Sequence, residues 1–140
     1  MFNQTEIKYI RSQPLVRLGT VSPKGQVDVV PVGFEFDGQV FYVSGRDIPS
    51  TLKYKNIQRG NALAGLAIDD LASVNPWRAR GIKIHAHADI LERDGMFGRK
   101  EYIRLTPIKS WSWGLEGEVF TAGQFNVHKV EHTTTPISNL

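Results

Sequence analysis

The chain has 140 residues, which suits one domain, 1–140, with its own hydrophobic core. It contains no cysteine, which excludes disulfides, thiolate metal sites and a cysteine nucleophile, and no apolar run approaches the roughly 20 residues of a membrane helix. The formal net charge of +3 permits an anionic ligand and is too small to indicate nucleic acid. Because the N-terminus shows no basic or apolar leader pattern, we expect a soluble cytoplasmic protein without a membrane or nucleic-acid partner.

The first predicted element is a helix that begins after Asn3 and stops at Pro14. Asn3 can cap this helix, and Glu6 stands where its carboxylate can return the hydrogen bond. Strand patterns follow and form a meander, because Ser22-Pro23-Lys24-Gly25 and Asp37-Gly38 are typical turn sequences. The predicted strands of this meander are 15–21, 26–36 and 39–44.

The second half of the chain is predicted to hold two long strands. One alternates between two faces, with Ile82, Ile84, Ala86 and Ala88 on one and Lys83, His85, His87 and Asp89 on the other. Pro107 limits the other to an edge or a bulge. In order, the predicted elements are a helix at 49–59, a strand at 62–69, an irregular connection at 70–79, a strand at 81–92, a polar break at 93–99, a strand at 101–113, a glycine-rich loop at 114–123, a short strand at 125–130 and a frayed end at 131–140.

Six or seven strands with two or three short helices predict a mainly β fold. The pattern favours a closed or partly closed antiparallel barrel of the Greek-key type.

One segment with the character of an anion site is Ser50-Thr51-Leu52-Lys53-Tyr54-Lys55-Asn56, which follows a strand and opens a helix. Free backbone N–H groups, the Thr51 hydroxyl and two lysines could together hold a phosphate. A solvated helix face fits the same spacing equally well.

Two further segments carry unusual residues for their position. The run Val29-Val30-Pro31-Val32-Gly33-Phe34 places a proline and a glycine inside a strand, which a flat ring against the backbone or a β-bulge would explain. Trp77-Arg78-Ala79-Arg80 places an aromatic ring beside two guanidinium groups, which suit phosphate or carboxylate. A loop tryptophan on the core with exposed arginines explains that second segment as well.

The histidines and the other tryptophans give weaker signals. His85 and His87 share a strand face but have no local third ligand, so we expect outward-facing histidines and no metal. Trp111 and Trp113 also share a face, where packing in the core or at a dimer interface is the usual role.

Taken in order, several of these motifs resemble the pyridoxamine-phosphate-oxidase-like split-barrel flavoproteins. The matching segments are Arg17-Leu18-Gly19-Thr20-Val21, the Pro-Lys-Gly turn, Val29 to Phe34, and Lys53-Tyr54-Lys55-Asn56-Ile57. A second group resembles the actinobacterial F420-dependent members, including the oxytetracycline-pathway reductase branch: Ser112-Trp113-Gly114-Leu115-Glu116-Gly117, Phe120, Gly123 and Asn126-Val127-His128-Lys129-Val130. The resemblance spans about residues 5–130, and some relatives carry an arginine where His128 stands.

The resemblance implies a homodimer with two equivalent cofactor sites at the subunit interface. The cofactor ring is expected along two strands and the phosphate at the helix start. The partner chain is expected to cover the cofactor site. The residues that this assigns to the ring are Val29, Val30, Pro31, Val32, Gly33, Tyr42, Val43 and Ser44. The residues assigned to the phosphate and its surroundings are Thr51, Lys53, Lys55, Asn56, Trp77, Arg80 and Gly81, with Trp113 and Asn126 in the cover.

The function implied is an oxidoreductase that transfers a hydride from reduced coenzyme F420 to an enone, quinone or polycyclic acceptor. The negatively charged glutamate tail of F420 favours it over FMN, with Lys55, Arg59, Arg78 and Arg80 as the candidate cations. An FMN-dependent enzyme and a non-catalytic carrier of either cofactor remain alternatives. Tyr42, Tyr54 or a water molecule could donate a proton, and none of them is singled out by the sequence.

Overall fold

The computed structural model describes residues 1–117 and 120–132. No helix in these ranges is both long enough and apolar enough to cross a membrane. The helices are α1 (Gln4–Ser12) and α2 (Leu52–Gln58), with a 3₁₀ turn (Ile48–Ser50) just before α2. The strands are β1 (Leu15–Val21), β2 (Val27–Gly33), β3 (Glu35–Phe36), β4 (Phe41–Val43), β5 (Leu63–Ser73), β6 (Arg78–Gly95), β7 (Gly98–Trp113), β8 (Phe120–Thr121), β9 (Gln124–Phe125) and β10 (His128–Glu131).

Helix α1 begins at the predicted cap. The Glu6 backbone N–H donates to Asn3 Oδ1 at 2.8 Å, and the Asn3 backbone N–H donates to Glu6 Oε1 at 3.0 Å. These two bonds satisfy donors that the first helical turn leaves without partners. The helix ends where Gln13 becomes extended, because the following proline disfavours a helical conformation there.

The main sheet closes on itself through one bent segment. Its strand order is β2-β1-β5-β6-β7-β4-β3, and β10 adds to β7. The chain passes directly from β2, which pairs with β1, into β3, which pairs with β4, so residues 27–36 join the two ends of the sheet. All the described pairings are antiparallel, and the predicted mainly β antiparallel architecture is confirmed.

The barrel interior is filled by alternate side chains of each strand. The predicted alternation on β6 is confirmed, since Ile82, Ile84, Ala86 and Ala88 are at most 2% exposed while Lys83 is exposed. Residues that join these four in the core include Val16, Leu18, Phe41, Val43, Leu66, Ile68, Ile103 and Leu105.

Two predicted irregular segments are regular strands. The predicted connection at 70–79 is shorter, because β5 continues to Ser73 and β6 begins at Arg78. The predicted polar break at 93–99 is a hairpin in which β6 runs to Gly95 and β7 starts at Gly98. Polar cross-strand pairs, such as Arg99 with Glu92, sustain these strands beyond the apolar core, and hydrophobic alternation does not reveal them.

Two other predicted elements are divided, the predicted bulge at Pro107 is present, and part of the expected frayed end is ordered. The helix expected at 49–59 is divided at Thr51, whose extended backbone separates the 3₁₀ turn from α2. Pro107 lies at the predicted bulge, opposite Ala86, and its strand runs along the middle of the sheet. The strand expected at 125–130 is divided between β9 and β10. Of the expected frayed end, residues 131 and 132 are ordered against β7, and 133–140 lie outside the described residues.

Candidate functional site

A cleft of about 180 Å³ opens where β2 bends into β3. Three residues that were predicted to hold the cofactor ring line it together: Gly33, Tyr42 and Ser44. The remaining lining residues are Pro14, Phe34, Glu35, Met96 and Phe97. The structure therefore brings the two predicted ring-binding strands to one opening.

Strand β2 pairs along one edge only. Its partner is β1, and its second edge has no strand partner among the described elements. Pro31 is tolerated because an edge strand does not need every N–H for pairing. The β1–β2 register runs without a shift, so the alternative of a β-bulge at this proline does not apply.

The predicted ring residues of β2 divide between two faces. Val29, Pro31 and Gly33 point outward and are exposed, whereas Val30 and Val32 are half-buried on the inner face. A Cβ added at Gly33 would meet nothing within 4 Å, and the glycine does not have a positive φ. The absence of a side chain there leaves open space beside the cleft.

Tyr42 lies in the cleft between cationic groups. The Arg93 guanidinium carbon is 3.9 Å from the centroid of the Tyr42 ring, and Arg93 also pairs with Glu35 at 3.4 Å. Arg104 is held by Asp89, and its pKa is raised, chiefly by that hydrogen bond and to a small extent by Tyr42. Within the described residues the Tyr42 hydroxyl has no hydrogen-bond partner.

Tyr54 on α2 and the two predicted ring residues that follow Tyr42, Val43 and Ser44, are engaged in the fold. Tyr54 is buried and donates to Glu101 Oε2 at 2.8 Å, a hydrogen bond that raises the pKa of the tyrosine. Ser44 donates to the Glu101 carbonyl at 2.8 Å, and the Val43 side chain is fully buried. Of the two tyrosines predicted as possible proton donors, Tyr42 alone lines the cleft, and its hydroxyl makes no hydrogen bond within the described residues.

At the predicted phosphate position, α2 is a short helix of seven residues with a capped start. The Thr51 hydroxyl donates to the Ile48 carbonyl at 2.6 Å and accepts from the Tyr54 backbone N–H at 3.4 Å. Burial lowers the pKa of Lys53, and the Asp28 carboxylate on β2 partly offsets this. A partly dehydrated ammonium beside β2 is a favourable place for an anion.

Two other residues of α2 behave differently from Lys53. Asn56 is 2% exposed, and its amide donates to Thr20 Oγ1 at 3.0 Å, which ties α2 to β1. Lys55 is half-buried and makes no ion pair within the described ranges. The exposed Arg59 and Arg78 also make no ion pair within those ranges. The Trp77 side chain is 66% exposed.

Arg80 is already paired. Its guanidinium donates to both Asp70 oxygens at 2.7 and 2.8 Å, and the Tyr9 hydroxyl donates to the same carboxylate at 2.8 Å. The hydrogen bond from Arg80 is the main cause of the lowered pKa of Asp70, and burial is the main cause of the raised pKa of Tyr9. In this structure Arg80 fastens β6 to β5 and α1.

Gly81 and Trp113 contact each other across the β6–β7 pair. A Cβ added at Gly81 would stand 2.6 Å from Trp113 Cζ2 and 2.8 Å from the Ile68 carbonyl. Trp113 and Asn126 line a second cavity of about 320 Å³ that shares no lining residue with the Tyr42 cleft. Within one chain, the predicted cover is therefore separate from the predicted ring site.

The outer surface of the sheet carries an apolar groove of about 490 Å³. Gly19 and Gly65 face each other on β1 and β5 and form its floor. Large apolar side chains stand around it: Val27 is 57% exposed, Leu63 is 62% exposed and Ile108 is 44% exposed. His85 lines the groove as well, and no third metal-ligating residue joins the exposed His85 and His87 in the described ranges.

Sequence patterns did not point to Glu35, Met96 and Phe97, which line the Tyr42 cleft, or to Arg93, which packs on the Tyr42 ring. The segment 93–99 was predicted to be a polar break, so its side chains were not placed near any strand. The signal that could have found the hairpin residues is the pair of glycines, Gly95 and Gly98, which mark a possible turn between two strand patterns.

Comparison with known proteins gives one close relative in sequence and several in structure. No family model matches the chain. The chain is 34% identical over 126 residues to the 5a,11a-dehydrotetracycline/5a,11a-dehydrooxytetracycline reductase of Streptomyces rimosus subsp. rimosus, covering 86% of this chain and 88% of the relative.

Two solved structures share the fold at low sequence identity. One is a conserved hypothetical protein of Mycobacterium tuberculosis, with a TM-score of 0.66, 16% identity and coverage of 83% of this chain and 87% of the other. The second is a protein of the pyridoxinephosphate oxidase family from Clostridium acetobutylicum, related to general stress protein 26, with a TM-score of 0.62, 12% identity and coverage of 90% and 91%.

Proposed function

Because the chain belongs to the pyridoxamine-phosphate-oxidase-like split-barrel reductases, the family of the dehydrotetracycline reductase, we propose that it is an F420-dependent oxidoreductase acting on a polycyclic acceptor. The observation that carries the proposal is the cleft at the open edge of β2, where Gly33 leaves space and Tyr42 presents an unengaged hydroxyl. The partly buried Lys53 supplies a cation for the cofactor phosphate beside the same strand.

The residues present fit a flat cofactor ring. The bare backbone at Gly33 admits close approach of a planar group, and no Cβ obstructs it. The cleft volume of about 180 Å³ is below the roughly 300–1,000 Å³ that is usual for a small-molecule site. A single chain thus supplies only part of the enclosure, which favours a site shared between two copies.

We therefore propose a homodimer in which the partner chain completes each site. The support is the apolar outer groove, since exposed Val27 and Leu63 are typical of an interface that a partner covers. Trp113 and Asn126 would belong to the part of the partner that covers the cofactor. Leu63→Glu should yield a monomer by sedimentation, and Leu71→Glu, on the same strand and outside every cavity described above, should leave the dimer intact.

The bound cofactor supplies a hydride equivalent when reduced, and this chain supplies position and charge. In an acceptor whose carbon–carbon double bond is conjugated to a carbonyl, the hydride adds to the β-carbon and a proton adds to the α-carbon or oxygen. The acceptor thus gains two electrons and two hydrogens. We assign that proton to the Tyr42 hydroxyl, whose ring packs against the Arg93 guanidinium.

F420 is favoured over FMN by the cations that remain unpaired. Lys55, Arg59 and Arg78 make no ion pair in the described ranges and suit a polyglutamate tail, whereas Arg80 is occupied by Asp70. An FMN-dependent oxidoreductase and a carrier that binds either cofactor without turnover are the alternatives.

The test is a titration of the purified protein with F420 and with FMN, followed by turnover of 5a,11a-dehydrotetracycline. We expect F420 binding and acceptor reduction, and we expect Gly33→Ala to weaken F420 by about tenfold with an unchanged melting temperature. Tight FMN binding without F420 affinity would overturn the choice of cofactor. Binding without turnover against enones, quinones and polycycles would favour the carrier.

A further inference from the structure

The β6–β7 hairpin ends in two large apolar residues. Met96 is 71% exposed and Phe97 is 51% exposed, and they form the whole connection between Gly95 and Gly98. Two-residue hairpin connections normally carry glycine, asparagine or aspartate. Here the flanking Gly98 takes the positive φ of +84°, so turn geometry does not account for a methionine and a phenylalanine at the tip.

The tip is fastened to the barrel. The Met96 backbone N–H donates to Glu35 Oε2 at 3.0 Å, and the Phe97 backbone N–H donates to the Tyr102 hydroxyl at 3.0 Å. That hydroxyl in turn donates to the Gly98 carbonyl at 3.0 Å. A Cβ at Gly95 would stand 2.5 Å from the same hydroxyl, so the turn lies directly against the Tyr102 ring. The two apolar side chains are thus presented from a fixed base, which lowers the entropy lost when a ligand packs on them.

Both side chains line the cleft that holds Gly33 and Tyr42. The cleft therefore has an apolar part, formed by a thioether and a phenyl ring, and a polar part, formed by the Tyr42 hydroxyl with Arg93 against its ring. A flat acceptor of several fused rings that carries a carbonyl or enolate oxygen matches both parts. A single small ring offers the tip little surface to cover.

We infer that Met96 and Phe97 are specificity-determining residues that select flat, multi-ring acceptors over small ones. The inference rests on the proposed function: the cofactor ring lies along the Gly33 backbone, and the acceptor lies between that ring and the hairpin tip, within reach of Tyr42. The tip contacts the acceptor and leaves the binding of F420 to β2 and α2.

The experiment compares Met96→Ala, Phe97→Ala and the double variant with wild type on two acceptors. For dehydrotetracycline we expect kcat/KM to fall by roughly tenfold or more in the double variant, mainly through KM, because removing an aromatic anchor is costly to binding. For 2-cyclohexen-1-one we expect less than about a twofold change. The Kd for F420, read from its fluorescence, should stay at the wild-type value.

Two matched variants distinguish the loss of a direct contact with the acceptor from a general structural effect of the substitutions. Leu71→Ala removes an exposed leucine from β5, outside every cavity described above, and should behave as wild type on both acceptors. Phe97→Trp keeps a flat ring at the tip and should retain the preference for the polycycle. Equal loss on both acceptors, no loss on either, or a weakened F420 affinity in the tip variants would overturn the inference.

A binding measurement keeps the inference testable if wild type fails to use F420. Anthraquinone-2-sulfonate is a soluble, planar three-ring probe that needs no cofactor, and calorimetry reports its affinity directly. Weaker binding to the double variant than to wild type and Leu71→Ala would support the role of the tip even where the proposed redox function fails. Equal affinity in all three proteins, or no binding to wild type, would refute it.

Discussion

At Gly81 and Gly95 the space where a side chain would stand is taken by an aromatic ring, whereas at Gly33 and Gly65 that space is empty. Gly81 lies against Trp113, next to the paired Arg80, and Gly95 lies against Tyr102 at the far end of β6. The second pair lies beside the Tyr42 cleft and in the outer groove. Glycine therefore serves internal packing at the first two positions and leaves room for something outside the chain at the other two.

The charges follow the same division. Next to Gly81, Asp70 receives hydrogen bonds from Arg80, Tyr9 and Gln13, so that carboxylate is enclosed by partners of its own chain. Beside β2, Lys53 is partly dehydrated with only the charge of Asp28 nearby. The contrast indicates which charged groups have partners within the chain and which are available to a ligand or a second copy.

The largest expected effect is that of an alanine at Gly81. Its Cβ would overlap the Trp113 ring and the Ile68 carbonyl, and overpacking of a buried site of this kind costs about 1–3 kcal/mol. Gly45→Ala is the matched control, because nothing lies within 4 Å of an added Cβ there and Gly45 lines none of the cavities described above, so its stability should stay within about 0.5 kcal/mol of wild type.

Urea denaturation measures both variants. The prediction fails if they lose the same stability, or if a smaller side chain at Trp113 does not restore part of what Gly81→Ala loses.

A smaller effect is expected from Asp70→Asn on the paired side. The Asp70 and Arg80 side chains are about one-third exposed, so removing the negative charge should cost only about 1 kcal/mol. The pKa of Asp70 is lowered in the folded state, so its contribution is present above the usual value of 3.8 and is lost as the pH falls through the lowered pKa. The stability difference between wild type and the variant should therefore vanish in strong acid. A difference that persists there would show that the charge is not its cause.

The local parts of this fold follow from the sequence. The capping box of Asn3 and Glu6 and the inward face of β6 depend on neighbours in the chain, and both were predicted correctly. The contacts around Tyr42 were not predicted. Glu35 on β3 and Arg93 on β6 are far apart in the chain, and the sequence does not reveal the strand register that brings them together. The same limit applies to Gly81, since its need for a bare backbone comes from Trp113 on the next strand.

Register also explains the uneven outcome for the predicted site. Gly33, Tyr42 and Ser44 were expected to lie together, and they share one cleft. Arg80 is a residue type that suits an anion site, yet its partner Asp70 lies within the segment that was predicted to be irregular. A strand that continues past the core turns an apparently free arginine into half of an ion pair.

The smallest expected effect is that of removing the charge of Lys53, the partly buried cation beside β2. An anion is held by the charged form, so affinity for F420 should be constant at low pH and fall as the pH rises through the lowered pKa of Lys53. Lys53→Gln should weaken binding about threefold to fivefold at neutral pH and remove this dependence, since the site is partly exposed to solvent. Lys24→Gln, in the exposed turn after β1, is the control. Taking the ratio of wild-type to variant affinity at each pH cancels the titration of the cofactor itself. If that ratio is the same from neutral to alkaline pH, Lys53 does not bear the charge that holds the phosphate, and the cations further along α2 become the candidates.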